Sequence, residues 1–367
     1  MRRRSQTLGA AGLVTGVFGD PRRAPGLSAA EWDLLLQQAQ NSGLAGRLAE
    51  VLRAADLLSQ VPARARHVLA MAEVHSDKYR RGALWEAQCM RVVLREIDQP
   101  VILLKGGAYI ARGLAAGRGR VLSDLDILVP FDRLTPVEEA FLGNGWQAVK
   151  HDDYDDRYYR DWGHELPPMR HRRRGTVVDI HHTILPPTAR YTVDGALLLA
   201  AAEEIPGEPG LMTLQPVDMV LHNVAHLFAD GAMENGLRDL VDLQALLGEL
   251  SRQSDFWRRL LLRADELNLT RPLFYALDAV SRLLEYPVPM EIMAEARAGA
   301  PRGRGLIAPV FDRALRPYHT SVESLDVRLA RFAVYLRSHY LRMPMTMLIP
   351  HLTRKAVRRW KQDEAAA

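Results

Sequence analysis

The run Val121-Leu-Ser-Asp-Leu-Asp-Ile-Leu-Val129 constrains the fold of this chain more than any other stretch. Its apolar residues and the stop at Pro130 predict a strand over 121–129. Side chains alternate along a strand, so Asp124 and Asp126 share one face while Leu125 and Ile127 point to a buried opposite face. Two adjacent carboxylates repel, and one of them tends to stay protonated unless a cation lies between them. Oxygen donors favour a hard divalent ion, so the pair points to Mg²⁺ or Mn²⁺.

Two further segments complete the pattern. Pro100 ends a helical run, and Val101 to Leu104 reads as a short buried strand. Lys105, Gly106 and Gly107 follow at the junction with a helical pattern over 108–115. Glycines there let backbone approach a phosphate closely, and the first turn of a helix presents unpaired N–H groups to it. The third segment, Val177-Val-Asp-Ile-His-His182, belongs to a predicted strand over 176–184. Asp179 and His181 share one of its faces. A third carboxylate would complete a metal cluster or act as general base for an incoming hydroxyl. His181 is placed to touch phosphate, to orient Asp179, or to pack.

The rest of the chain is mostly helical. Ser28 with Glu31 three residues on is a capping-box pattern, and apolar residues then recur at helical spacing through Trp32, Leu35, Leu36, Leu44, Leu48 and Leu52. A long helical run covers 68–97, and residues 135–142 form a helix before a turn at 143–145. Beyond Pro216 the helical patterns Val217 to Phe228, Gly236 to Glu249 and Phe256 to Leu267 follow. The predicted organisation is a helical region over 1–97, a core over 98–215, and a second helical region over 216–367.

With 367 residues, the chain is long enough for two or three domains. The net charge of +4 is too weak to call for nucleic acid as a partner, though it suits a phosphorylated ligand. Cys89 is the only cysteine, which excludes an intrachain disulfide and a Cys-rich zinc site. Arg2, Arg3 and Arg4 before the stretch 8–18 loosely imitate a signal peptide, but that stretch is glycine-rich and lacks a cleavage pattern. No run is apolar for the roughly 18 residues that a membrane span needs. The expected location is the cytoplasm.

Taken together, Leu104-Lys-Gly-Gly107, Ser123-Asp-Leu-Asp-Ile-Leu-Val129 and Val178-Asp-Ile-His181 resemble the uncharacterised bacterial nucleotidyltransferase family, within the polymerase-β-like nucleotidyltransferase superfamily. The resemblance is strongest over about 98–215. It implies an α+β fold with a mixed sheet flanked by helices, two divalent metals and an NTP donor. By that resemblance Gly106 and Gly107 contact the triphosphate; read from the residues alone, Lys105 adds a charge beside them or is simply solvated, and His181 is the further candidate for nucleotide contact. Asp124 and Asp126 bind both metals, and Asp179 binds the catalytic metal and helps activate the acceptor. Gly107 stands where the superfamily often has Ser, and the step from Gly107 to Asp124 is longer than in minimal members. The implied reaction moves a nucleotidyl group to a hydroxyl-type acceptor on a small molecule, a sugar or a protein. The competing expectations are an inactive nucleotide- or partner-binding module, and an antitoxin-like enzyme that modifies a protein.

Other polar groups carry weaker signals. His222 and His226 are four apart, a spacing that zinc ligands share, but no H-E-x-x-H pattern is present, which favours polar packing. Arg238 and Asp242 are spaced to pair along a helix. The segment 151–174 reads as an acceptor-binding loop, through Tyr158, Tyr159, Arg160 and Trp162, or as a surface insert. Arg170, Arg172, Arg173 and Arg174 read as a triphosphate clamp or as the solvated end of a hairpin. The tail from Arg337 to Lys361 is a docking helix with exposed arginines, or a basic amphipathic surface for anionic lipid.

Overall fold

Among the described residues, seven short strands lie between residues 101 and 213, with helices before and after them. They are β1 (Val101–Leu103), β2 (Leu125–Leu128), β3 (Trp146–Ala148), β4 (Met169–His171), β5 (Val177–His181), β6 (Glu203–Glu204) and β7 (Leu211–Thr213). The computed structural model describes residues 9–149, 162–230, 233, 235–299, 304–344 and 346. The strands form one mixed sheet in the order β3-β4-β5-β2-β1-β7-β6. β2 runs parallel to β5 and antiparallel to β1, and β1 runs parallel to β7. The chain is therefore α+β, with a seven-stranded mixed sheet among many helices. β3, β4, β6 and β7 have two or three residues each, too few to show a period in sequence.

The central strands are buried along most of their length, with Val177 and Asp179 of β5 half-buried. Every residue of β1 and β2 is buried, so the apolar run of β1 sits in the middle of the sheet as expected of a strand covered on both faces. The helices before the sheet are α1 (Leu13–Gly19), α2 (Ala29–Asn41), α3 (Ala45–Ala54) and α4 (Ala63–Arg95). α2 opens on the capping box seen in the sequence: the Ser28 hydroxyl accepts from the Glu31 backbone N–H, and the Glu31 carboxylate accepts from the Ser28 N–H at 2.8 Å. α4 packs against β1, α5 (Lys105–Ala111) and α6 (Leu134–Gly143).

After the sheet strands begin, α7 (Gly195–Ala200) precedes β6, and α8 (Pro216–Val224) follows β7. A π-helical turn over Ala225–Asp230 continues α8, so the single helix expected over 217–228 changes its winding there. α9 (Gly236–Leu250), α10 (Phe256–Glu266), α11 (Thr270–Leu283), α12 (Met290–Ala298), α13 (Arg304–Ala314) and α14 (Leu325–Arg342) complete the described helices. Buried side chains from Leu13 through Val334 form one continuous hydrophobic cluster. None of the helices among the described residues is long and apolar enough to cross a membrane.

The connection from α5 to β2 is anchored from both sides in sequence. Gly119 adopts φ +68°, and its Cα lies so close to the Gly46 backbone that a side chain at either position would overlap the other. That approach seats α3 directly on the connection. The Arg47 guanidinium donates to the carbonyls of Ala115 and Ala116, and the Glu249 carboxylate accepts from the Ala115 N–H at 2.7 Å. The long step between Gly107 and Asp124 is thus held rigidly by α3 and α9.

Candidate active site

β2 and β5 pair in register, with Asp126 opposite Asp179 and Leu128 opposite His181. The strand expected over 121–129 is shorter than that: it starts at Leu125, and half-buried Asp124 precedes it. The 176–184 strand likewise contracts to 177–181, and the helix expected over 108–115 instead spans 105–111. Asp124, Asp126 and Asp179 nevertheless line a single cleft of about 630 Å³. Lys105, Gly106 and Gly107 line the same cleft, and Arg120, Arg238 and Arg342 line it as well. Carboxylates and cations therefore share the walls of a cavity within the usual size range for small-molecule sites.

Lys105 heads α5 with φ +43°, a conformation that side chains other than glycine rarely adopt. The strain, about 1–2 kcal/mol, is offset because this turn aims the side chain at Asp126, where Nζ donates to Oδ1 at 2.9 Å. Burial by itself would lower the Lys105 pKa, but the Asp126, Glu165 and Asp179 carboxylates outweigh it and raise the value. Burial likewise works to raise the Asp126 pKa, and Lys105 with His181 overcomes it, holding the carboxyl well below its ordinary range.

His181 is buried beneath the carboxylates. Its Nε2 lies 3.0 Å from Asp126 Oδ1 and 3.3 Å from Glu165 Oε2. Burial would lower its pKa; Glu165 and Asp126 raise it on balance. Glu165 arrives through a short antiparallel bridge to His181, in which the Leu166 N–H donates to the Ile180 carbonyl at 2.8 Å and the His182 N–H to the His164 carbonyl at 3.0 Å. Burial, and then the charges of His181, Lys105 and Arg342, hold His164 well below its ordinary pKa.

Among the described residues Asp179 makes no ion pair, unlike Asp126, which Lys105 and His181 contact. Burial first, then the Glu165 and Asp126 carboxylates, push it up to about 7. Its Oδ1 is buried with no hydrogen-bond partner among the described residues. A buried carboxylate oxygen without a partner, in a cleft shared with Asp124 and Asp126, is the kind of oxygen donor that a divalent cation takes, while the donor atoms that converge within 4.8 Å among the described residues are those of His164, Glu165 and His181.

The two glycines are required by packing as well as by any ligand. A Cβ on Gly106 would overlap the Leu122 and Arg120 side chains, and one on Gly107 would lie 3.1 Å from Leu125 Cδ2. α5 is thereby pressed against the segment that carries Asp124. Arg120 is itself buried, ion-paired to Asp242 and 4.0 Å from Asp239. Burial and the neighbouring Arg238 lower it to about 10.

Several other sequence expectations change in the structure. Arg238 and Asp242 do not pair with each other: Arg238 donates to Asp239 at 3.3 Å, while Asp242 binds Arg47 and Arg120. The i,i+4 spacing allowed the pair, but two buried guanidiniums compete for the Asp242 carboxylate. His222 is buried and His226 lies 3.5 Å from Asp239 Oδ2, so each has its own environment. Arg172 to Arg174 sit at the end of the β4–β5 hairpin, where Arg174 binds Glu86 of α4 at 2.6 Å and lies over the Trp85 and Trp146 rings. Tyr158, Tyr159 and Arg160, and the tail from 347 onward, lie outside the described residues.

Sequence reasoning missed His164, Glu165, Arg120 and Asp239. His164 and Glu165 stand in a polar segment with no period, and only the strand pairing with His181 brings them to the site. Arg120 and Asp239 meet across a distance in sequence that no local pattern encodes.

A family profile, described as uncharacterised nucleotidyltransferase, matches residues 28–285. That match makes the chain a nucleotidyltransferase, a transferase of phosphorus-containing groups. It belongs to the uncharacterised nucleotidyltransferase family. No curated protein and no solved structure gives a significant match to the chain.

Proposed function

We propose that the chain transfers a nucleotidyl group from an NTP to a hydroxyl-type acceptor with the help of divalent metal, on a polymerase-β-like core spanning about 98–215. One observation carries this reading: Asp126 and Asp179 stand side by side on parallel strands, with Asp124 beside them, and one buried oxygen of Asp179 has no partner. Asp124, Asp126 and Asp179 would hold Mg²⁺ or Mn²⁺. When bound, such ions neutralise the charge that develops on the transferred group and on the leaving pyrophosphate.

The chain's own groups divide the remaining work. Asp179 faces the cleft and takes the proton of the acceptor hydroxyl as its oxygen bonds to the α-phosphorus and pyrophosphate departs. Lys105, Gly106 and Gly107 form a first helical turn that no side chain caps, so its N–H groups are available to phosphate oxygens. His181 fixes the Asp126 carboxylate through its Nε2 contact. The acceptor is a small molecule, a sugar or a protein, and the reaction belongs in the cytoplasm.

A second reading draws on one contact. The Lys105 ammonium already sits on Asp126 Oδ1, where it supplies positive charge to the acid cluster. That contact suits a module that binds nucleotide without turnover. Incubation with labelled ATP, CTP, GTP or UTP, Mg²⁺ or Mn²⁺, and cell extract separates the two. Label should pass to an acceptor with wild type and not with Asp124→Ala. Equal labelling by Asp124→Ala refutes the site, and nucleotide binding that ignores EDTA, with no transfer, supports the module.

A further inference from the structure

The cleft holds a second set of donors beside the three aspartates. His164, Glu165 and His181 each offer one ligating atom, and these atoms lie within 4.8 Å of one another. Glu165 Oε2 is 3.3 Å from His181 Nε2 and 4.0 Å from His164 Nε2. Atoms bound to one ion at about 2.1 Å stand roughly 3–3.5 Å apart, so a modest contraction brings all three onto one cation. The backbone fixes this set: Glu165 pairs with His181 as a bridge, and the His164 carbonyl accepts from the His182 N–H. His164 and Glu165 line the cleft, whereas His181 closes it from below with 1 % exposure.

The set adjoins the acids rather than standing apart. His181 Nε2 is 3.0 Å from Asp126 Oδ1, and Asp126 faces Asp179 across the parallel pair. A cation at His164, Glu165 and His181 would therefore sit next to one held by the aspartates, with Asp126 between the two. Imidazole nitrogens bind Co²⁺ or Zn²⁺ far better than Mg²⁺, which takes oxygen and water, and Mn²⁺, the weakest of the transition series, still accepts them more readily than Mg²⁺.

We propose that His164, Glu165 and His181 form a nitrogen-bearing cation site that shares Asp126 with the aspartate cluster and selects a transition metal such as Mn²⁺ over Mg²⁺. This inference rests on the cleft being the metal-assisted transferase site described above, and it names the metal class of one of its positions. The test uses the full chain, stripped of metal and titrated with Mn²⁺ alone, with pulsed electron paramagnetic resonance as the readout. Wild type should show ¹⁴N coupling to bound Mn²⁺. His164→Gln should lose part of that coupling and bind Mn²⁺ about tenfold or more weakly, with Mg²⁺ affinity changed less than about twofold, tenfold being about 1.4 kcal/mol.

Bound Mn²⁺ without nitrogen coupling in wild type overturns the inference, even where nucleotide transfer is found. Equal Mn²⁺ affinity in wild type and His164→Gln overturns it too. Nitrogen-coupled Mn²⁺ in a protein that transfers no nucleotide supports the site and defeats the transferase reading instead. The wild-type spectrum decides the matter by itself should His164→Gln fail to fold.

Discussion

Replacing Asp179 with Asn should stabilise the metal-free protein while abolishing transfer. In the folded state Asp179 is pushed from 3.8 up to about 7 by burial and by Glu165 and Asp126. The folded pKa lies above the unfolded one, so the favourable protonated form is fully present below about pH 4. That contribution is lost as pH rises through about 7. A rise of about three units at about 1.4 kcal/mol each amounts to roughly 4 kcal/mol lost by pH 8. At pH 5 the loss is only about 1.5 kcal/mol by the same arithmetic. Asn keeps the shape and carries no charge, so its stability does not fall with this group. Urea denaturation in EDTA at pH 5 and pH 8 should therefore show the Asp179→Asn advantage widening by about 2–3 kcal/mol between the two. Addition of Mg²⁺ or Mn²⁺ should stabilise wild type more than the variant. An advantage that stays flat or shrinks from pH 5 to pH 8 would refute the picture of a buried carboxylate awaiting a cation.

Three further outcomes follow from the packing. Gly106→Ala should lower stability by about 1–3 kcal/mol and reduce transfer, because its Cβ must displace Leu122 and Arg120, whereas Gly107→Ala, with a 3.1 Å contact to a single methyl, should cost less; thermal melts and transfer assays on both give the order. Arg174→Ala leaves Glu86, which is 2 % exposed, without its guanidinium and with the Thr176 hydroxyl still donating to it, and should cost about 3 kcal/mol in chemical denaturation, while Arg172→Ala and Arg173→Ala at the same exposed hairpin end stay within about 0.5 kcal/mol. Asp242→Ala leaves the Arg47 and Arg120 guanidiniums buried without their carboxylate and should destabilise by about 3–5 kcal/mol; an effect under about 1 kcal/mol would show that the backbone carbonyls of Ala115 and Ala116 satisfy Arg47 alone.

The sequence by itself determined the central strands and the acids they carry. β1, β2 and β5 are short apolar runs bounded by Pro, Gly or charge, and their period places Asp126, Asp179 and His181 by arithmetic. The Ser28–Glu31 cap was equally legible, because a capping box is a local hydrogen-bond cycle. Tertiary structure decided which strands are neighbours, and with that the meaning of each acid. Only the parallel pairing of β2 with β5 sets Asp126 against Asp179. The same pairing sets His181 against Asp126, and only the bridge at Glu165 brings it a second carboxylate. Periodicity reports the face a side chain takes on its own element, whereas charge, burial and proton affinity depend on atoms that the chain brings back from far away in sequence.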